Sequence, residues 1–444
     1  MEQECPKIIC SIPGPESRRI VAMDTQYLAT GTKGSPVAVK WGKGVVFEDL
    51  DGNRFLDFTN GMVAGTGHGH PRVAKAIQEQ AGKFLFFNGP DFYYEVQSQV
   101  AEALVRVTPG DHRKKVFLSN SGAEANEAAI KLARSATGRK QFIAFLGAFH
   151  GRTMGALALT ASKVVQRETF FPMMPGVTHL PFAYCYRCPY KLNYPSCDLW
   201  CAQILEDIYF KSVLPPEEVA ALFMEPEQGE GGYVVPPSPF VQKIQQICQK
   251  YGILFVADEV QAGCGKTGKL FAIQHHAVVP DVLNLGKAIA SGVPMGATIF
   301  RAELDFPKQG RHSNTYGGNP LAAVACLATL EAIQEEKLLE NCQRMGQRFT
   351  DGLRGLQQEF EEIGDVRGLG LMLAIELVED RTSKEPARAL RDRVIDACCS
   401  KGLLLLPCGM SSIRFTPAMV VNAEQIDTAL GILRESIQEA KASA

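Results

Sequence analysis

Between about residues 61 and 325 the sequence alternates short apolar segments with stretches of helical periodicity. Six segments have the length and composition of buried strands: 115–118, 142–146, 220–224, 253–257, 282–285 and 297–300. Helical patterns lie between or after them at 123–136, 240–251 and 321–336. Strands and helices that alternate in this way predict an α/β domain whose mostly parallel sheet is covered by helices on both faces.

The two ends of the chain have different patterns. The first sixty residues are rich in loops, and 45–58 reads as a hairpin that turns at 51–53. After about residue 340, amphipathic helices enclose short strands at 370–377, 403–407 and 413–416. We therefore expect an N-terminal segment (1–60) that packs with a smaller α+β domain (326–444), and a large domain (61–325) between them.

The overall composition excludes several classes of protein. The 444 residues include 46 Lys and Arg against 48 Asp and Glu, a net charge of −2, which indicates neither a nucleic-acid nor a membrane partner. No apolar run approaches the roughly 18 residues of a membrane span, and the first residues lack the pattern of a secretory signal. The 13 cysteines are an odd number, which favours free thiols in a reducing compartment. We expect a cytoplasmic protein.

Chemically useful side chains follow five of the expected strands. Ligands of an open parallel sheet bind outside the carboxyl ends of its strands, so residues that follow the strands are the candidates for a site. In chain order they are the small residues 119–125 at a helix start, Phe149 and Arg152, the carboxylates within 225–232, Asp258 and Gln261, and Lys287. Exposed amides at a helix start bind phosphate without a basic side chain.

Lys287 and Asp258 are the most informative of these residues. Lys287 ends an apolar strand, and the small residues 288–292 after it leave room for a bulky group. Partial burial there lowers the pKa of a lysine and makes its amine a nucleophile. An aspartate can keep a pyridine nitrogen protonated, so that the ring acts as an electron sink. A lone lysine is usually a surface residue, but a phosphate-binding helix start, a stacking ring, an aspartate and a lysine together indicate pyridoxal 5'-phosphate.

The same stretches carry a resemblance to a known family. They are SGAEANE at 121–127, FHGRT at 149–153, EPEQGEGG at 225–232, DEVQ at 258–261, LGKAIA at 285–290 and TYGGNP at 315–320. In this order they resemble class III aminotransferases, enzymes of fold type I that use pyridoxal phosphate, and most of all the archaeal-type branch of 4-aminobutyrate and ornithine aminotransferases. The resemblance implies a large domain with a mostly parallel sheet and a smaller α+β domain.

The resemblance also implies roles in holding the cofactor. Lys287 would be the Schiff-base lysine and would move a proton between the substrate carbon and the cofactor. Asp258 would pair with the pyridine nitrogen, Gln261 would reach the phenolic oxygen of the ring, and Phe149 would stack on its face.

Three further residues would bind the cofactor's phosphate. By the resemblance, Gly122 and Ala123 donate backbone amides to it. Thr315 would complete the phosphate site from a partner subunit, which implies a homodimer, with a tetramer as the alternative.

The resemblance places the substrates at three other residues. Arg152 and Arg414 would bind substrate carboxylates through charge-assisted hydrogen bonds. Glu230 would pair with Arg414 when the substrate has no α-carboxylate and release it when a 2-oxo acid arrives. The implied activity is transfer of an amino group from an ω-amino acid, such as 4-aminobutyrate or an ornithine-like donor, to 2-oxoglutarate.

Two other functions remain as alternatives. Some relatives in this branch are amino-acid racemases or epimerases, in which Lys287 and a second group would exchange the α-proton on opposite faces. Those relatives often have aspartate where this chain has Glu230, so the glutamate favours amino transfer. A pyridoxal-phosphate-binding protein without turnover is disfavoured by the intact pair of Lys287 and Asp258.

The chain departs from the family pattern in three places. The segment 60–68, which by the resemblance would line the substrate pocket, is one residue shorter than usual, and Cys264 and Lys266 stand where a larger apolar residue and an arginine are usual. The segment 181–201 reads as an inserted loop with four cysteines: Cys185, Cys188, Cys197 and Cys201. Their spacing is compatible with a structural zinc site, with disulfides or with free thiols. We expect no metal and no catalytic role for them.

Overall fold

The structure is a computed structural model that describes residues 5–442. Its strands are β1 Val39–Lys43, β2 Val46–Asp49, β3 Arg54–Asp57, β4 Lys114–Ser119, β5 Gln141–Phe145, β6 Val177–Leu180, β7 Val219–Met224, β8 Leu254–Asp258, β9 Val282–Leu285, β10 Gly296–Arg301, β11 Ile363–Leu369, β12 Met372–Leu377, β13 Leu403–Leu404, β14 Leu406–Cys408 and β15 Ser412–Phe415. Its α-helices are α1 Pro15–Tyr27, α2 Pro71–Ala81, α3 Glu95–Val107, α4 Gly122–Thr137, α5 Met154–Leu159, α6 Trp200–Ile204, α7 Phe210–Ser212, α8 Ser238–Tyr251, α9 Pro320–Glu335, α10 Leu338–Glu359, α11 Arg388–Ser400 and α12 Ala423–Ala442.

A seven-stranded sheet in the order β4-β10-β9-β8-β7-β5-β6 forms the centre of the chain. The pairs from β9 through β8, β7 and β5 to β6 are parallel, whereas β10 runs antiparallel to both β9 and β4. All six strands expected here are confirmed. Edge strand β6 was not expected, because three of its four residues are only partly buried and its sequence, VTHL, has no apolar run.

Helices cover both faces of this sheet, as expected. All six residues of β7 are buried, which is why this strand reads as a continuous apolar run. On one face it packs with Phe240 and Ile244 of α8. On the other face it packs with Ile130 and Leu132 of α4. The carboxyl ends of the parallel strands stay open between these layers.

The N-terminal hairpin joins the C-terminal part of the chain. β2 and β3 pair antiparallel, which confirms the expected hairpin, and β13 adds to β3 in parallel. A second sheet has the order β11-β12-β15-β14 and is antiparallel throughout. Leu56 and Phe58 share one apolar cluster with residues of α10 and α12.

The strand expected at 403–407 is wrong in one respect. The chain leaves the first four-stranded sheet after β13 and enters the second at β14, so Leu405 separates two strands of different sheets. Both strands are apolar, and Leu405 between them is apolar as well, so the sequence does not indicate where one strand ends and the next begins. Within residues 5–442, none of the helices is long and apolar enough to cross a bilayer.

Candidate active site

Lys287 lies two residues after the end of β9, in a strained backbone conformation. Its φ is +46°, in the left-handed region that residues other than glycine rarely adopt, and it opens a short 3-10 turn, Lys287–Ala290. Gly286 before it leaves little room for a side chain, because a Cβ there would lie 3.1 Å from the backbone nitrogen of Gly122. The strand end that carries the lysine is therefore in contact with the start of α4. Strain of this kind is typical of functional sites.

Several charged groups surround the Lys287 amine. Burial lowers the pKa of Lys287; the carboxylates of Asp258, Glu225 and Glu230 act to raise it, and Arg414 acts to lower it, with a net shift downward. A lysine with a lowered pKa has a larger fraction of neutral, nucleophilic amine at neutral pH. These five residues come from four segments of the chain, since Glu225 and Glu230 share the loop after β7, and they form one cluster.

The carboxylate of Asp258 is held in place by three hydrogen bonds. Its Oδ2 accepts from Asn126 Nδ2 and from His150 Nδ1, both at 2.7 Å, and its Oδ1 accepts from the amide of Val260 at 3.0 Å. The side chain of Asn126 is in turn oriented by Asn284, whose Nδ2 donates to Asn126 Oδ1 at 2.9 Å. These contacts fix the direction of the carboxylate at the end of β8.

Asn126, His150 and Asn284 were not singled out in the sequence. The signal that could have found two of them is their position inside the stretches SGAEANE and FHGRT. His150 is buried, which lowers its pKa, but its hydrogen bond with Asp258 and the charge of that carboxylate raise it, and the net direction is upward. A buried histidine that is readily protonated can compensate the negative charge of Asp258.

The start of α4 has the geometry of an anion site. The hydroxyl of Ser121 accepts from the amide of Glu124 at 3.2 Å, and the carbonyl of Ser121 accepts from Ala125 at 3.0 Å. The amides of Gly122 and Ala123 precede the first intrahelical hydrogen bond and are free to bind a ligand. With the helix dipole behind them, they can bind a phosphate.

Phe149 and Arg152 lie on the loop after β5. The amide of Phe149 donates to Glu225 Oε2 at 3.0 Å, and the amide of Gly229 donates to the other oxygen of the same carboxyl at 3.1 Å. Burial raises the pKa of Glu225 to about 7. Arg152 is exposed, with its Cζ 5.7 Å from the centre of the Phe149 ring. The carboxyl of Glu225 thus fixes two loops of the site relative to each other.

Gln261 lies against the backbone of the loop that follows β7. A Cβ at Gly229 would lie 1.7 Å from Gln261 Oε1, so only glycine leaves room for the amide side chain there. Gln261 Nε2 donates to the hydroxyl of Tyr233 at 3.2 Å. Tyr233, which the sequence did not single out, is completely buried.

Glu230 and Arg414 form an ion pair across two parts of the chain. Arg414 Nη1 lies 2.6 Å from Glu230 Oε1, and Lys163 Nζ lies 3.5 Å from the other oxygen, Oε2. Burial raises the pKa of Glu230, but Arg414 and Lys163 lower it, and the net direction is downward. The carboxylate is therefore ionised at neutral pH between two cations.

Thr315 lies on an exposed loop before α9. The loop is anchored by Asn314, whose Nδ2 donates to the carbonyl of Leu118 at 2.9 Å and whose Oδ1 accepts from Gly317 at 2.5 Å.

The four-cysteine loop borders the groove that contains Lys163 and Gly231. It contacts β12, where Tyr184 and Arg187 both bond to the buried carboxylate of Glu376. All four of its cysteines are free thiols: Cys185, Cys188, Cys197 and Cys201. In the part of the chain that the structure describes, no group of three or more His, Cys, Asp or Glu side chains is placed to hold a metal ion.

The donor set fits pyridoxal phosphate. The two free amides at the start of α4 suit a phosphate, and the amine of Lys287 suits an aldehyde carbon. The fixed carboxylate of Asp258 suits a protonated ring nitrogen. The close approach of Gly286 to Gly122 brings the amine and the phosphate site to one edge of the sheet.

A buried acid in the same loop predicts a pH dependence of stability. Glu227 is completely buried; burial raises its pKa well above 4.5, and Arg367 offsets only part of this effect. Its contribution to stability is complete below pH 4.5 and is lost as the pH rises through the raised pKa. We expect Glu227→Gln to escape this loss, so that its melting temperature relative to wild type rises between pH 5 and pH 9, by roughly 1 °C for each kcal/mol recovered in a chain of this length. The exposed Glu379→Gln is the control, and a pH-independent difference would contradict the prediction.

Comparisons with known proteins agree with this geometry. The family model described as aminotransferase class-III matches residues 27–437. The probable 4-aminobutyrate aminotransferase of Bacillus subtilis is 38% identical over 93% of this chain and 96% of its own. The 5-aminovalerate aminotransferase of Pseudomonas aeruginosa is 40% identical over 91% of this chain and 94% of its own.

Other relatives differ in activity or are known as structures. The alanine/serine racemase of Pyrococcus horikoshii is 37% identical over 98% of this chain and 93% of its own. The crystal structure of a Bacillus anthracis aminotransferase superposes with a TM-score of 0.89 at 30% identity, over 96% of this chain and 99% of that one. With a family model that matches nearly its whole length and relatives this similar, the chain belongs to the class III aminotransferases.

Proposed function

We propose that the protein transfers an amino group from an ω-amino acid, such as 4-aminobutyrate or an ornithine-like donor, to 2-oxoglutarate with pyridoxal phosphate as cofactor. The observation that carries this proposal is the ion pair of Glu230 and Arg414 beside Lys287. A donor with no α-carboxylate leaves the charge of Arg414 without a partner, and Glu230 supplies one. The names of the Bacillus and Pseudomonas relatives support the same class of donor.

The cofactor residues have the following roles in this proposal. When bound, pyridoxal phosphate supplies an electron sink that stabilises negative charge on the substrate carbon. Lys287 would hold it covalently through Nζ; once the substrate amine has replaced Nζ on the aldehyde carbon, the freed amine would take a proton from the substrate carbon and return it to the cofactor side. Asp258, fixed by Asn126 and His150, keeps the ring nitrogen protonated.

The remaining contacts orient the cofactor. The amides of Gly122 and Ala123 hold the phosphate, Phe149 stacks on the ring, and Gln261 donates to its phenolic oxygen. The hydrogen bond from Phe149 to Glu225 and the packing of Gln261 on Gly229 support these positions.

Two arginines would divide the substrate carboxylates between them. Arg152 binds the carboxylate far from the reacting nitrogen, and Arg414 binds the α-carboxylate of 2-oxoglutarate after Glu230 has moved away. The exposed position of Arg152 beside Phe149 supports the first role. The 2.6 Å pair of Arg414 with Glu230 supports the second.

We also propose a homodimer in which Thr315 reaches the phosphate of the partner subunit. An exposed apolar patch borders the loop of Thr315 and comprises Phe84, Leu85, Phe87, Phe92, Tyr93 and Tyr316. The Tyr316 ring is centred 4.7 Å from that of Phe86, so the patch and the loop form one surface. Exposed apolar area of this kind marks a protein–protein interface.

Two further assignments accompany the proposal. The 13 cysteines are free thiols, which favours the cytoplasm as the compartment. The pairing of β13 with β3 supports the division into an N-terminal segment (1–60), a large domain (61–325) and a small domain (326–444).

An absorbance measurement of the cofactor-loaded protein tests the activity. Yellow protein should lose its colour when 4-aminobutyrate or ornithine is added without an acceptor, and regain it with 2-oxoglutarate. Yellow protein that keeps its colour, yet exchanges the α-hydrogen of alanine or serine in heavy water, would identify a racemase like the Pyrococcus relative. Protein that binds no pyridoxal phosphate would refute both functions.

Glu230→Gln should change the preference between the two substrates. Without the carboxylate, the charge of Arg414 has no partner in the complex with 4-aminobutyrate, and we expect the rate of that half-reaction to fall about tenfold, as for loss of a charged hydrogen bond. The half-reaction of glutamate should stay within about threefold, because its α-carboxylate binds Arg414 directly. Stopped-flow absorbance of each half-reaction measures this ratio. The exposed Glu168→Gln is the control, and an equal fall in both half-reactions would contradict the role of Glu230.

A further inference from the structure

We propose that Lys163 is a positioning residue that binds the Glu230 carboxylate when it leaves Arg414, and so allows one site to accept both a monocarboxylate donor and a dicarboxylate acceptor. The inference rests on the proposed function, because it concerns the movement of Glu230 between the two half-reactions. Lys163 lies outside the stretches that carry the family resemblance, and the sequence did not single it out.

Glu230 is bracketed by two cations, one on each oxygen. Oε1 lies 2.6 Å from Arg414 Nη1, and Oε2 lies 3.5 Å from Lys163 Nζ. The side chain of Arg414 is 10% exposed, whereas that of Lys163 is 36% exposed. The carboxylate therefore has an inner partner on the substrate side and an outer partner toward solvent.

The backbone around Glu230 is fixed, so its movement is confined to the side chain. The carbonyl of Glu230 accepts from the amide of Gly409 at 2.9 Å, and the amide of Gly232 donates to the carbonyl of Gly229 at 3.0 Å. A Cβ at Gly231 would lie 2.6 Å from the carbonyl oxygen of Gly147, so the turn is packed against the neighbouring loop. Rotation of the carboxylate from Arg414 toward Lys163 needs no change in these contacts.

A carboxylate released into this site needs a partner. The Glu230 side chain is only 22% exposed, and an unpaired charge at such a position is costly because it has lost most of its hydration. Lys163 lines a groove of about 700 Å³ that also contains Gly231 and Met410 and opens to solvent. The groove adjoins Glu230 through the next residue, Gly231, and Lys163 supplies a charge at its wall that would bind the carboxylate once it has left Arg414.

Binding of two unreactive acids to the cofactor-loaded protein tests the inference. Glutarate carries two carboxylates and must displace Glu230 from Arg414, whereas butyrate carries one and leaves the pair intact. We expect Lys163→Gln to weaken glutarate binding about tenfold, the size of one hydrogen bond to a charged group, and to change butyrate binding less than twofold. Lys163→Arg should restore the affinity for glutarate. Titration calorimetry measures each dissociation constant.

A double-mutant cycle separates this role from simple attraction of anions. In a Glu230→Gln background no carboxylate has to be relocated, so Lys163→Gln should have no further effect on glutarate. Arg388→Gln removes a cation that lines the same groove without touching Glu230, and it should leave both affinities unchanged. An undiminished effect of Lys163→Gln in the Glu230→Gln background would show direct action on the ligand and would overturn the inference.

Different results would refute the proposed function and the role of Lys163. Wild-type protein that does not react with 4-aminobutyrate or ornithine would refute the proposed function and this inference with it. Normal reaction with these donors, combined with equal weakening of glutarate and butyrate in Lys163→Gln, would refute only the role of Lys163. Circular dichroism of each variant verifies that it is folded.

Discussion

Replacement of Lys287 by alanine is expected to lower the rate of amino transfer by about 10⁴-fold, the upper end of the range for loss of a general acid–base group. The variant loses both the amine that would hold the cofactor and the group that would move the proton. The cluster of Asp258, Glu225, Glu230 and Arg414 would remain around an empty position. Stopped-flow absorbance with 4-aminobutyrate, and steady-state assays with 2-oxoglutarate, measure the loss.

Lys269→Ala is the matched control, because Lys269 is an exposed lysine of the same domain. Its rate should stay within about twofold of wild type, since surface substitutions of this kind are nearly neutral. Borohydride reduction of the loaded wild type should attach the cofactor mass to the peptide that contains Lys287, and to no peptide of the Lys287→Ala variant. Normal turnover by Lys287→Ala, or attachment to another lysine, would refute the assignment.

Asp258→Asn is expected to lower the rate by about 10²–10³-fold, as for removal of one preorganised electrostatic contact. A neutral amide cannot keep the ring nitrogen protonated. Asparagine has nearly the same shape as aspartate, and its amide oxygen can still accept the hydrogen bonds from Asn126 and His150, which are 2.7 Å long in the wild type. The variant therefore tests whether the charge of residue 258 matters in addition to its position. Half-reaction rates and the affinity for pyridoxal phosphate are the two readouts.

The exposed Asp111→Asn serves as the control for Asp258→Asn. We expect the affinity for the cofactor to fall less than the rate, because the phosphate contacts of Gly122 and Ala123 are untouched. A rate within threefold of wild type would refute the role of Asp258. A rate and an affinity that fall by the same factor would instead indicate that Asp258 only helps to bind the cofactor.

The large sheet could be predicted because its central strands are buried on both faces. A strand such as β7, buried at all six positions, must be apolar throughout, and this leaves a signal in the sequence. Strand β6 is only partly buried and has no such signal. The break at Leu405 also leaves no signal in the sequence, because β13 and β14 are both apolar. Which sheet each strand joins is decided by its pairing partners elsewhere in the chain.

The site residues that lie at or just after the ends of strands could be predicted from the sequence. Lys287 and Asp258 come just after or at the end of strands, and parallel strands bring such residues together. The supporting contacts depend on side-chain geometry instead: Asn126 and Asn284 meet across 158 positions of sequence. The ion pair of Glu230 and Arg414 was anticipated only through the family resemblance.

The parallel pairing of β13 with β3 has a consequence for synthesis of the chain. Leu56 pairs with Leu403, so the edge of the N-terminal hairpin finds its partner only about 350 residues later. At roughly 5–20 residues per second, that interval lasts about 20–70 s. During this time the ribosome holds a nascent chain whose first strands present an open edge, the kind of surface on which unwanted strand pairing begins. The last 40 of the 444 residues are therefore not needed to close this edge, but the segment that ends with β13 at Leu404 is.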